Sequence, residues 1–166
     1  MSKSEFKPLS QEALRLIDRE IAKYPAGKQQ SAVMSALRIA QQEKGWLAPE
    51  TIEEVANYLG MPPVAAWEVA TFYNMFDLEP VGRHKITVCT NLPCMLSGSL
   101  HVAAYLKEKL GIEFDETTAD GQFTLKEGEC MGACGDAPVL LHNNHQMCAR
   151  VSKDEIDRRL AEWRSQ

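Results

Sequence analysis

The sequence predicts an α+β protein in which a helical bundle precedes an α/β domain with a mixed sheet. Up to about residue 78, apolar residues recur at intervals of three and four, the period of an amphipathic helix. The segment Pro80-Val81-Gly82 then interrupts this pattern. Beyond it, short strand-like segments alternate with helical ones, which is typical of a sheet covered by helices. We therefore expect two domains, residues 1–78 and 79–166.

The first helix is predicted to begin after Ser10, which is a plausible N-cap. Leu9 before that cap and Leu14 after it fit a hydrophobic staple, and Pro25 stops the helix. The buried face of this helix is marked by Leu14, Ile17 and Ile21.

Three more short helices are predicted in the first domain, with short links typical of a small bundle. The second ends at Gly45, the third lies between Pro49 and Gly60, and the fourth starts at Pro62-Pro63. Their apolar faces are marked by Val33, Ala36, Leu37 and Ala40, then by Ile52, Val55, Ala56 and Leu59, then by Trp67, Ala70, Phe72 and Phe76.

The second domain is predicted to open with a strand from His84 to Thr90, with Ile86 and Val88 on one face. A helix follows to about Leu110. Its predicted cap is Ser97 or Ser99, its buried stripe is Ala103, Leu106 and Leu110, and Gly111 ends it. A right-handed crossover would place the strands on either side of this helix parallel to each other in one sheet.

Later strands follow the turn signal Asp120-Gly121, where Phe123 and Leu125 alternate with polar residues. A hairpin is predicted from residues 139–142 and 145–148, joined by a two-residue Asn143-Asn144 turn. The last element is a charged helix from Asp154 to Trp163 with Ile156 and Leu160 inward. The order β-α-β-β-β-α is that of a thioredoxin-like sheet.

Composition excludes several classes of function. The chain has 166 residues, a net charge of −5 and a pI of about 5.4, which do not favour nucleic acid or anionic lipid as partners. No apolar run approaches the ~20 residues that span a bilayer, and residues 1–14 contain no apolar signal-sequence core. We therefore expect a cytosolic protein, without direct membrane insertion, in which stable disulfides are disfavoured.

Four cysteines form two pairs, Cys89 with Cys94 and Cys130 with Cys134, in the pattern C-x4-C and C-x3-C. Four thiolates are the ligand set of a [2Fe–2S] cluster, two for each iron. Structural zinc sites favour C-x2-C, and thiol–disulfide catalysts need C-x-x-C. The first pair is predicted at a strand-to-helix junction, with backbone N–H groups of the loop 90–93 free to point at sulfur. The second lies in a glycine-rich loop.

Two alternatives for these thiols remain open on the residues alone. One is a zinc-stabilised interaction module, and the other is a thiol-redox protein on a thioredoxin-like scaffold. The fifth cysteine, Cys148, is interpreted as a core residue facing Val139 in the hairpin. His142 and His145 are interpreted as solvated cross-strand neighbours rather than as a metal pair.

Aromatic and apolar residues near the end of the first domain are interpreted mainly as core, with a partner-docking surface as the alternative. They are Trp46, Trp67, Phe72, Tyr73, Met75 and Phe76. Glu129, next to Cys130, either raises the electron density near a cluster or is a solvated loop carboxylate. The chain contains no Ser/His/Asp nucleophile pattern, no phosphate loop and no G-x-G-x-x-G nucleotide motif, so no catalytic residue is predicted.

Four segments resemble one known family, the 24 kDa-type subunit of respiratory complex I, which in bacteria is the E subunit of NADH–quinone oxidoreductase. They are ATFYNMF at 70–76, PVGRHKITVCTNLPCML at 80–96, TTADGQFTL at 117–125 and GECMGACGDAPV at 128–139. The resemblance extends from about Leu9 to the C-terminal helix. It implies a thioredoxin-like domain holding one [2Fe–2S] cluster on Cys89, Cys94, Cys130 and Cys134, with Cys148 outside the ligand motif.

The resemblance also implies partners and a location. The chain would be an electron-transfer subunit of a complex that oxidises NADH, packed beside the flavoprotein subunit that binds FMN and NADH. Its cluster would exchange electrons with that FMN. The large iron–sulfur subunit of the peripheral arm is a second expected partner, at the cytoplasmic face of the inner membrane. The same cysteine pattern occurs in NAD-linked hydrogenases and formate dehydrogenases, which remain the alternative parent complexes.

Overall fold

The computed structural model describes residues 6–165, and the chain divides into two compact units, Met1–Pro80 and Val81–Gln166. Residues 1–5, which belong to the segment tested for a signal sequence, lie outside the described range. No helix within that range is both long enough and apolar enough to cross a membrane.

The first unit is entirely helical over its described residues. Its four α-helices are α1 Gln11–Ile21, α2 Val33–Lys44, α3 Pro49–Tyr58 and α4 Pro63–Phe72, with a 3-10 turn at Gln29–Ala32. Their apolar faces meet in one core, which includes Ile17, Leu37, Ile52 and Leu59. The predicted helical bundle is confirmed.

Local signals define the helix ends as predicted. The Ser10 hydroxyl accepts a hydrogen bond from the Ala13 backbone N–H at 3.1 Å, and Leu9 is buried in the core against which Leu14 packs. Gly45 closes α2 at φ +86, and Pro49 and Pro63 occupy the first position of their helices. Ser10 and the two prolines satisfy or avoid backbone donors that the first turn of a helix leaves without partners, whereas the Gly45 N–H donates to a carbonyl oxygen of the last turn of α2.

The aromatic residues after Trp67 depart from the predicted core. Phe72 is 79% exposed and Tyr73 is 40% exposed, whereas Phe76 is buried. The helix ends at Phe72, and Tyr73 is extended, at φ −94 and ψ 119. The spacing that would place Phe72 and Phe76 on one helical face therefore does not continue, and the core interpretation was wrong for Phe72 and Tyr73. Trp46, Trp67 and Met75 are half-buried.

The second unit contains a four-stranded mixed sheet. Its elements are β1 His84–Cys89, α5 Leu92–Leu96, α6 Ser99–Leu110, β2 Phe123–Gly128, β3 Leu140–His142, β4 Gln146–Cys148 and α7 Lys153–Arg164. The strand order is β2-β1-β3-β4. β1 is parallel to β2 and antiparallel to β3, and β3 is antiparallel to β4. The predicted parallel pair across a helical crossover is confirmed.

The helix after β1 begins differently from the prediction. Five residues form the separate turn α5, and Gly98, in the left-handed region at φ +93, leads into α6. The Ser97 hydroxyl donates to the Pro93 carbonyl oxygen at 2.8 Å, and Ser99 is already the first residue of α6. Neither serine caps the helix, because a glycine makes the change of direction between the two helices. Gly111 ends α6 as predicted, at φ +67.

The β3–β4 hairpin has a three-residue loop instead of the predicted two-residue turn. His142 pairs with Gln146 and Leu140 pairs with Cys148, so the predicted pairing of Cys148 with Val139 is wrong by one residue. Asn143 and Asn144 do adopt positive φ, +48 and +63, which asparagine tolerates. Cys148 is buried in the core of the sheet unit, as predicted.

His142 is not solvated, contrary to expectation: it is only 6% exposed. Its ring stacks on Trp163 of α7 with centroids 4.1 Å apart. His84 of β1 lies on the same side, with its Nδ1 atom 3.1 Å from Nε2 of His142. The one-residue shift in hairpin register changes the face to which His142 points, because side chains alternate along a strand. His145 is exposed in the loop.

The C-terminal helix α7 packs against the sheet as predicted, with Ile156 and Leu160 buried. Ser152 caps it by accepting a hydrogen bond from the Glu155 backbone N–H at 3.3 Å. Trp163, which was not predicted as a core residue, is also buried there.

Candidate metal centre

The first cysteine pair is buried at the C-terminal end of β1. Cys89 is the last residue of that strand and Cys94 the third residue of α5, and each is 2% exposed. Val139 packs against both. The Cys89 backbone N–H donates to the Val139 carbonyl oxygen at 3.2 Å. The strand therefore holds one thiol, and the helical turn returns the second to the same apolar pocket.

The second pair lies on the surface, in the loop between β2 and β3. Cys130 and Cys134 are exposed, with their sulfur atoms 3.7 Å apart. Two thiolates bound at about 2.3 Å to one tetrahedral ion lie about 3.8 Å from each other. The Gly132 backbone N–H also donates to the Cys130 sulfur at 3.4 Å, from a residue at φ +74. The separation of the two sulfur atoms in this loop therefore suits two thiolates bound to one metal ion.

Electrostatics link the two pairs. Burial raises the pKa of the Cys94 thiol, a backbone hydrogen bond from Val139 opposes that rise, and negative charge on Cys89 and Cys134 adds to it. The pKa of Cys134 is raised chiefly by its hydrogen bond with Cys130, and further by the charges of Cys130 and Cys89. Cys89 thus adds to the pKa shift of Cys134, which is 45 positions away in the chain, and residues between Cys130 and Cys134 pack against the buried pair, so the two pairs are neighbours in the fold.

This site resists being ionised without a cation. Four thiolates close together repel one another. Bound metal ions remove this repulsion because their positive charge compensates the negative charge of the thiolates. All five cysteines are free thiols in the structure. The pKa of Cys94, raised first by burial, and that of Cys134, raised first by its hydrogen bond with Cys130, suit a metal cluster that displaces the thiol protons on binding.

The donor set suits a two-metal cluster. Each iron of a [2Fe–2S] cluster takes two protein thiolates. One buried pair and one exposed pair match that requirement, and Cys148 lies outside the site in the sheet core.

Backbone contacts anchor the second loop. The Arg150 backbone N–H donates to the Asp136 carbonyl oxygen at 2.8 Å, and the Val151 N–H donates to the Pro138 carbonyl oxygen at 3.0 Å. The Arg150 guanidinium also pairs with the Asp136 carboxylate at 3.1 Å, although both are well exposed. The loop is thereby held to the segment that follows β4.

The glycines of this loop serve distinct purposes. A Cβ at Gly128 would lie 2.5 Å from the Thr87 side chain, so Gly128 lets β2 approach β1 at the end of the ladder. Gly132 instead provides the positive φ that brings its N–H to the Cys130 sulfur. The small residues of this loop predicted that the backbone wraps closely around the site. Gly132 supports this prediction, whereas Gly128 is small because it packs against the Thr87 side chain of β1.

The predicted loop between Cys89 and Cys94 is shorter than expected. Half of it already belongs to α5, and the Thr90 backbone N–H donates to the Gly128 carbonyl oxygen at 3.1 Å instead of pointing at sulfur. The donor to Cys94 is instead Val139, which comes from the far side of the second cysteine loop. Spacing in the sequence contains no signal for that contact, because it depends on how β3 enters the sheet.

Two side-chain bridges between the cysteine segments were also missed. The Thr90 hydroxyl donates to the Glu127 carboxylate at 2.7 Å, and the Asn91 amide donates to the Glu129 carboxylate at 3.0 Å. The only sequence signal for them is that each residue lies within three positions of a ligand cysteine.

Comparisons with known proteins agree with this geometry. The sequence profile of the thioredoxin-like [2Fe-2S] ferredoxin family matches residues 17–164. The E subunit of the NADH-quinone oxidoreductase of Rickettsia conorii is 48% identical over 132 residues, which are 79% of this chain and 79% of that protein. The mitochondrial NADH dehydrogenase [ubiquinone] flavoprotein 2 of Dictyostelium discoideum is 42% identical over 136 residues, 81% of this chain and 55% of that protein.

Among solved structures, an NAD+-reducing [NiFe]-hydrogenase in its H2-reduced state superposes with a TM-score of 0.67 at 22% identity. The match covers 78% of this chain and only 22% of the hydrogenase chain, and it bears on the fold alone. Because the profile spans nearly the whole sequence and the relatives are well above 30% identical, the chain belongs to the thioredoxin-like [2Fe-2S] ferredoxin family.

Proposed function

We propose that this chain is the electron-transfer subunit of an NADH–quinone oxidoreductase, respiratory complex I, and carries one [2Fe–2S] cluster on Cys89, Cys94, Cys130 and Cys134. The observation that carries the proposal is that residues of the loop between Cys130 and Cys134 pack against the buried cluster of Cys89, Cys94 and Val139. The names of the relatives supply the parent complex.

A bound cluster would supply one-electron transfer, and the residues of this chain would set its surroundings. Val139 and Gly132 direct backbone N–H groups at sulfur, which favours the more negative state of such a centre. The first pair is shielded from water, and the second is at the surface.

The hydride chemistry belongs to another subunit in this proposal. The chain lacks a dinucleotide-binding glycine motif, and none of its residues is assigned acid–base chemistry. FMN and NADH would be bound by the partner flavoprotein, with whose FMN the cluster exchanges electrons. The isolated chain would then not oxidise NADH, although it is part of an NADH dehydrogenase.

An apolar surface beside the first pair supports a protein partner. Leu92 and Met95 of α5, Leu96 at its end and Leu100 of α6 are all exposed, Leu96 by 77%. Contiguous exposed apolar residues next to a functional centre are typical of an interaction site. We assign this surface, called the α5–α6 surface below, to the flavoprotein subunit.

The remaining placement follows from the same parent complex. The large iron–sulfur subunit of the peripheral arm is the second proposed partner, and the arm would lie at the cytoplasmic face of the inner membrane.

We also propose that residues 1–78 and 79–166 are separate folding domains. The two compact units and their separate hydrophobic cores support this division.

Three alternatives remain to be tested against this proposal. The cysteine pattern also fits the equivalent subunit of an NAD-linked hydrogenase or formate dehydrogenase, whereas the Rickettsia relative that is 48% identical is a subunit of a quinone enzyme. The 3.7 Å approach of Cys130 and Cys134 also suits a zinc site or a redox-active dithiol.

Anaerobic analysis of the purified chain separates the cluster from the two thiol alternatives. Two irons and two acid-labile sulfides per chain, with an EPR signal after dithionite reduction, are expected. One zinc without sulfide would establish the interaction module, and a disulfide without metal would establish the dithiol. Copurification with quinone-reductase or with hydrogenase subunits, after tagging the chain in its own cell, identifies the parent complex. Oxidation of NADH by the isolated chain would overturn the division of labour.

A further inference from the structure

We infer that Asn91 and Glu129 form a clamp that holds the two cysteine segments together, and that the Glu129 carboxylate lowers the reduction potential of the centre. This inference rests on the proposed function, because it concerns how strongly a cluster at the four cysteines attracts an electron. It assigns two positioning residues that are not themselves ligands.

The first step is where the backbone pairing ends. β1 and β2 run parallel, and the last pair in register is Cys89 with Gly128. One further backbone bond, from the Thr90 N–H to the Gly128 carbonyl oxygen at 3.1 Å, extends the ladder. Beyond this bond, each strand leads into a loop that carries ligand cysteines. Backbone pairing between β1 and β2 therefore no longer fixes the distance between the two loops.

Side chains take over at that point. The Asn91 amide donates to the Glu129 carboxylate at 3.0 Å, and the Thr90 hydroxyl donates to the Glu127 carboxylate at 2.7 Å. Asn91 is two residues after Cys89, and Glu129 directly precedes Cys130. The clamp therefore joins the flanks of a ligand from each pair, where a small relative movement would alter the fit of a rigid cluster.

The second step is charge. The groups that donate to Glu127 and Glu129 are a hydroxyl and an amide, and neither neutralises a carboxylate. Reduction adds one electron to the centre, and a nearby negative charge opposes that addition. Glu129 adjoins a ligand, and Glu127 is three residues away, so the effect is expected to be larger for Glu129. Both carboxylates are at the surface, so salt weakens the effect.

One pair of variants separates charge from clamping. Glu129→Gln removes the charge but keeps an oxygen that accepts from Asn91, whereas Asn91→Ala keeps the charge and removes the bridge. In the full-length protein, EPR-monitored redox titration of Glu129→Gln should show a three- to tenfold shift toward the reduced form. For one electron this is about 28 to 59 mV. Glu108→Gln, which removes the same charge near the end of α6, is the matched control.

The clamp is read out by the lifetime of the cluster. Asn91→Ala should lose its visible absorbance to an iron chelator at least threefold faster than wild type, while Glu129→Gln should lose it at the wild-type rate. Equal potentials for Glu129→Gln and Glu108→Gln would overturn the assigned effect of charge. Equal lifetimes for Asn91→Ala and wild type would overturn the clamp. A wild-type protein without iron and sulfide would instead overturn the proposed function.

Discussion

The five cysteines differ in what surrounds their sulfur atoms. Burial raises the pKa of Cys148, which lies in the sheet core opposite Leu140, with no second cysteine as its strand partner. Cys94 is also buried, but it faces the charges of Cys89 and Cys134. Burial alone therefore does not separate ligand from core cysteine, whereas the presence of neighbouring thiols does.

A serine scan follows from that difference. Serine at Cys89, Cys94, Cys130 or Cys134 should abolish or strongly alter the EPR signal, because a hydroxyl is a much poorer cluster ligand than a thiolate. Cys148→Ser should retain the signal, at a stability cost of about 1–3 kcal/mol for burying an unpaired hydroxyl. Cys148→Ala, which adds no polar group, is the control. Loss of the signal in Cys148→Ala with unchanged folding would contradict the ligand assignment.

The buried histidine pair makes acid sensitivity a second prediction at this scale. Burial lowers the pKa of both His84 and His142. The Trp163 backbone and Gln146 oppose the decrease, while Arg83, Arg159 and His145 add to it. A pair 3.1 Å apart needs one ring nitrogen to donate and the other to accept, and protonating both rings would set two donors against each other.

Proton linkage determines whether these lowered pKa values make the folded protein more or less stable as the pH falls. Below about pH 6.5 the unfolded chain binds protons at these histidines that the folded chain does not, so stability falls as pH falls. The contribution is fully present above that pH. We expect the urea midpoint of the sheet unit to decrease between pH 7.5 and 5.5, and less steeply in His142→Gln. His101→Gln, at an exposed histidine of α6 that does not contribute to either shift, should keep the wild-type slope. Parallel slopes in all three proteins would exclude the pair as the cause.

At the scale of elements, the predicted caps of the helical unit were confirmed because they are local, whereas the predicted serine cap of α6 was not. Ser10, Gly45 and Pro49 each act within one turn of their own helix. Ser10 also accepts from Ala13 and is itself held by Glu43 of α2, to which its backbone N–H donates at 3.1 Å. The cap therefore contributes both to α1 and to its packing on α2.

Replacing Ser10 should release the first turn of α1. Ser10→Ala should cost about 1–2 kcal/mol, which corresponds to about 5- to 30-fold faster amide hydrogen exchange at residues 13 and 14. Ser31→Ala, in an exposed 3-10 turn of the same unit, is the matched control. An exchange rate in Ser10→Ala no faster than in this control would show that the cap does not limit local opening.

The hairpin shows where an element could not be predicted. The Asn143-Asn144 pair correctly indicated positive φ, but a two-residue and a three-residue loop both satisfy that signal. The choice between them moves Cys148 from Val139 to Leu140 and buries His142. The three-residue loop places the His142 ring against Trp163 of α7, a contact between residues that are 21 positions apart.

For the whole molecule, the four cysteines proposed as ligands all lie in one of the two compact units. A cluster that binds only the folded form of that unit stabilises it by mass action. Removing the cluster with a chelator should therefore increase amide exchange in residues 81–165 and leave the core of residues 6–80 protected. Exchange in α2 and α3 is the internal control. A comparable loss of protection in those helices would contradict two independent folding domains.

The α5–α6 surface provides the second prediction at this scale. Leu96→Glu places a charge on the proposed docking surface, so it should reduce copurification of the flavoprotein subunit severalfold while keeping the EPR signal. Met147→Glu changes an exposed apolar residue on β4 and should leave copurification unchanged. Normal assembly of Leu96→Glu would place the flavoprotein on another surface.

The chain alone contains enough to identify the chemistry of the centre and the elements around it. Ligand type, ligand spacing, helix period and caps are properties of neighbouring residues, and they indicated the four cysteines, the bundle and the mixed sheet. Contacts between distant segments, however, depend on strand register and packing. Three contacts join segments that share no local sequence pattern: Val139 with the two buried cysteines, Asn91 with Glu129, and His142 with Trp163. Such contacts are fixed only when the strands pair, because a one-residue shift in pairing moves every side chain of a strand to the opposite face of the sheet.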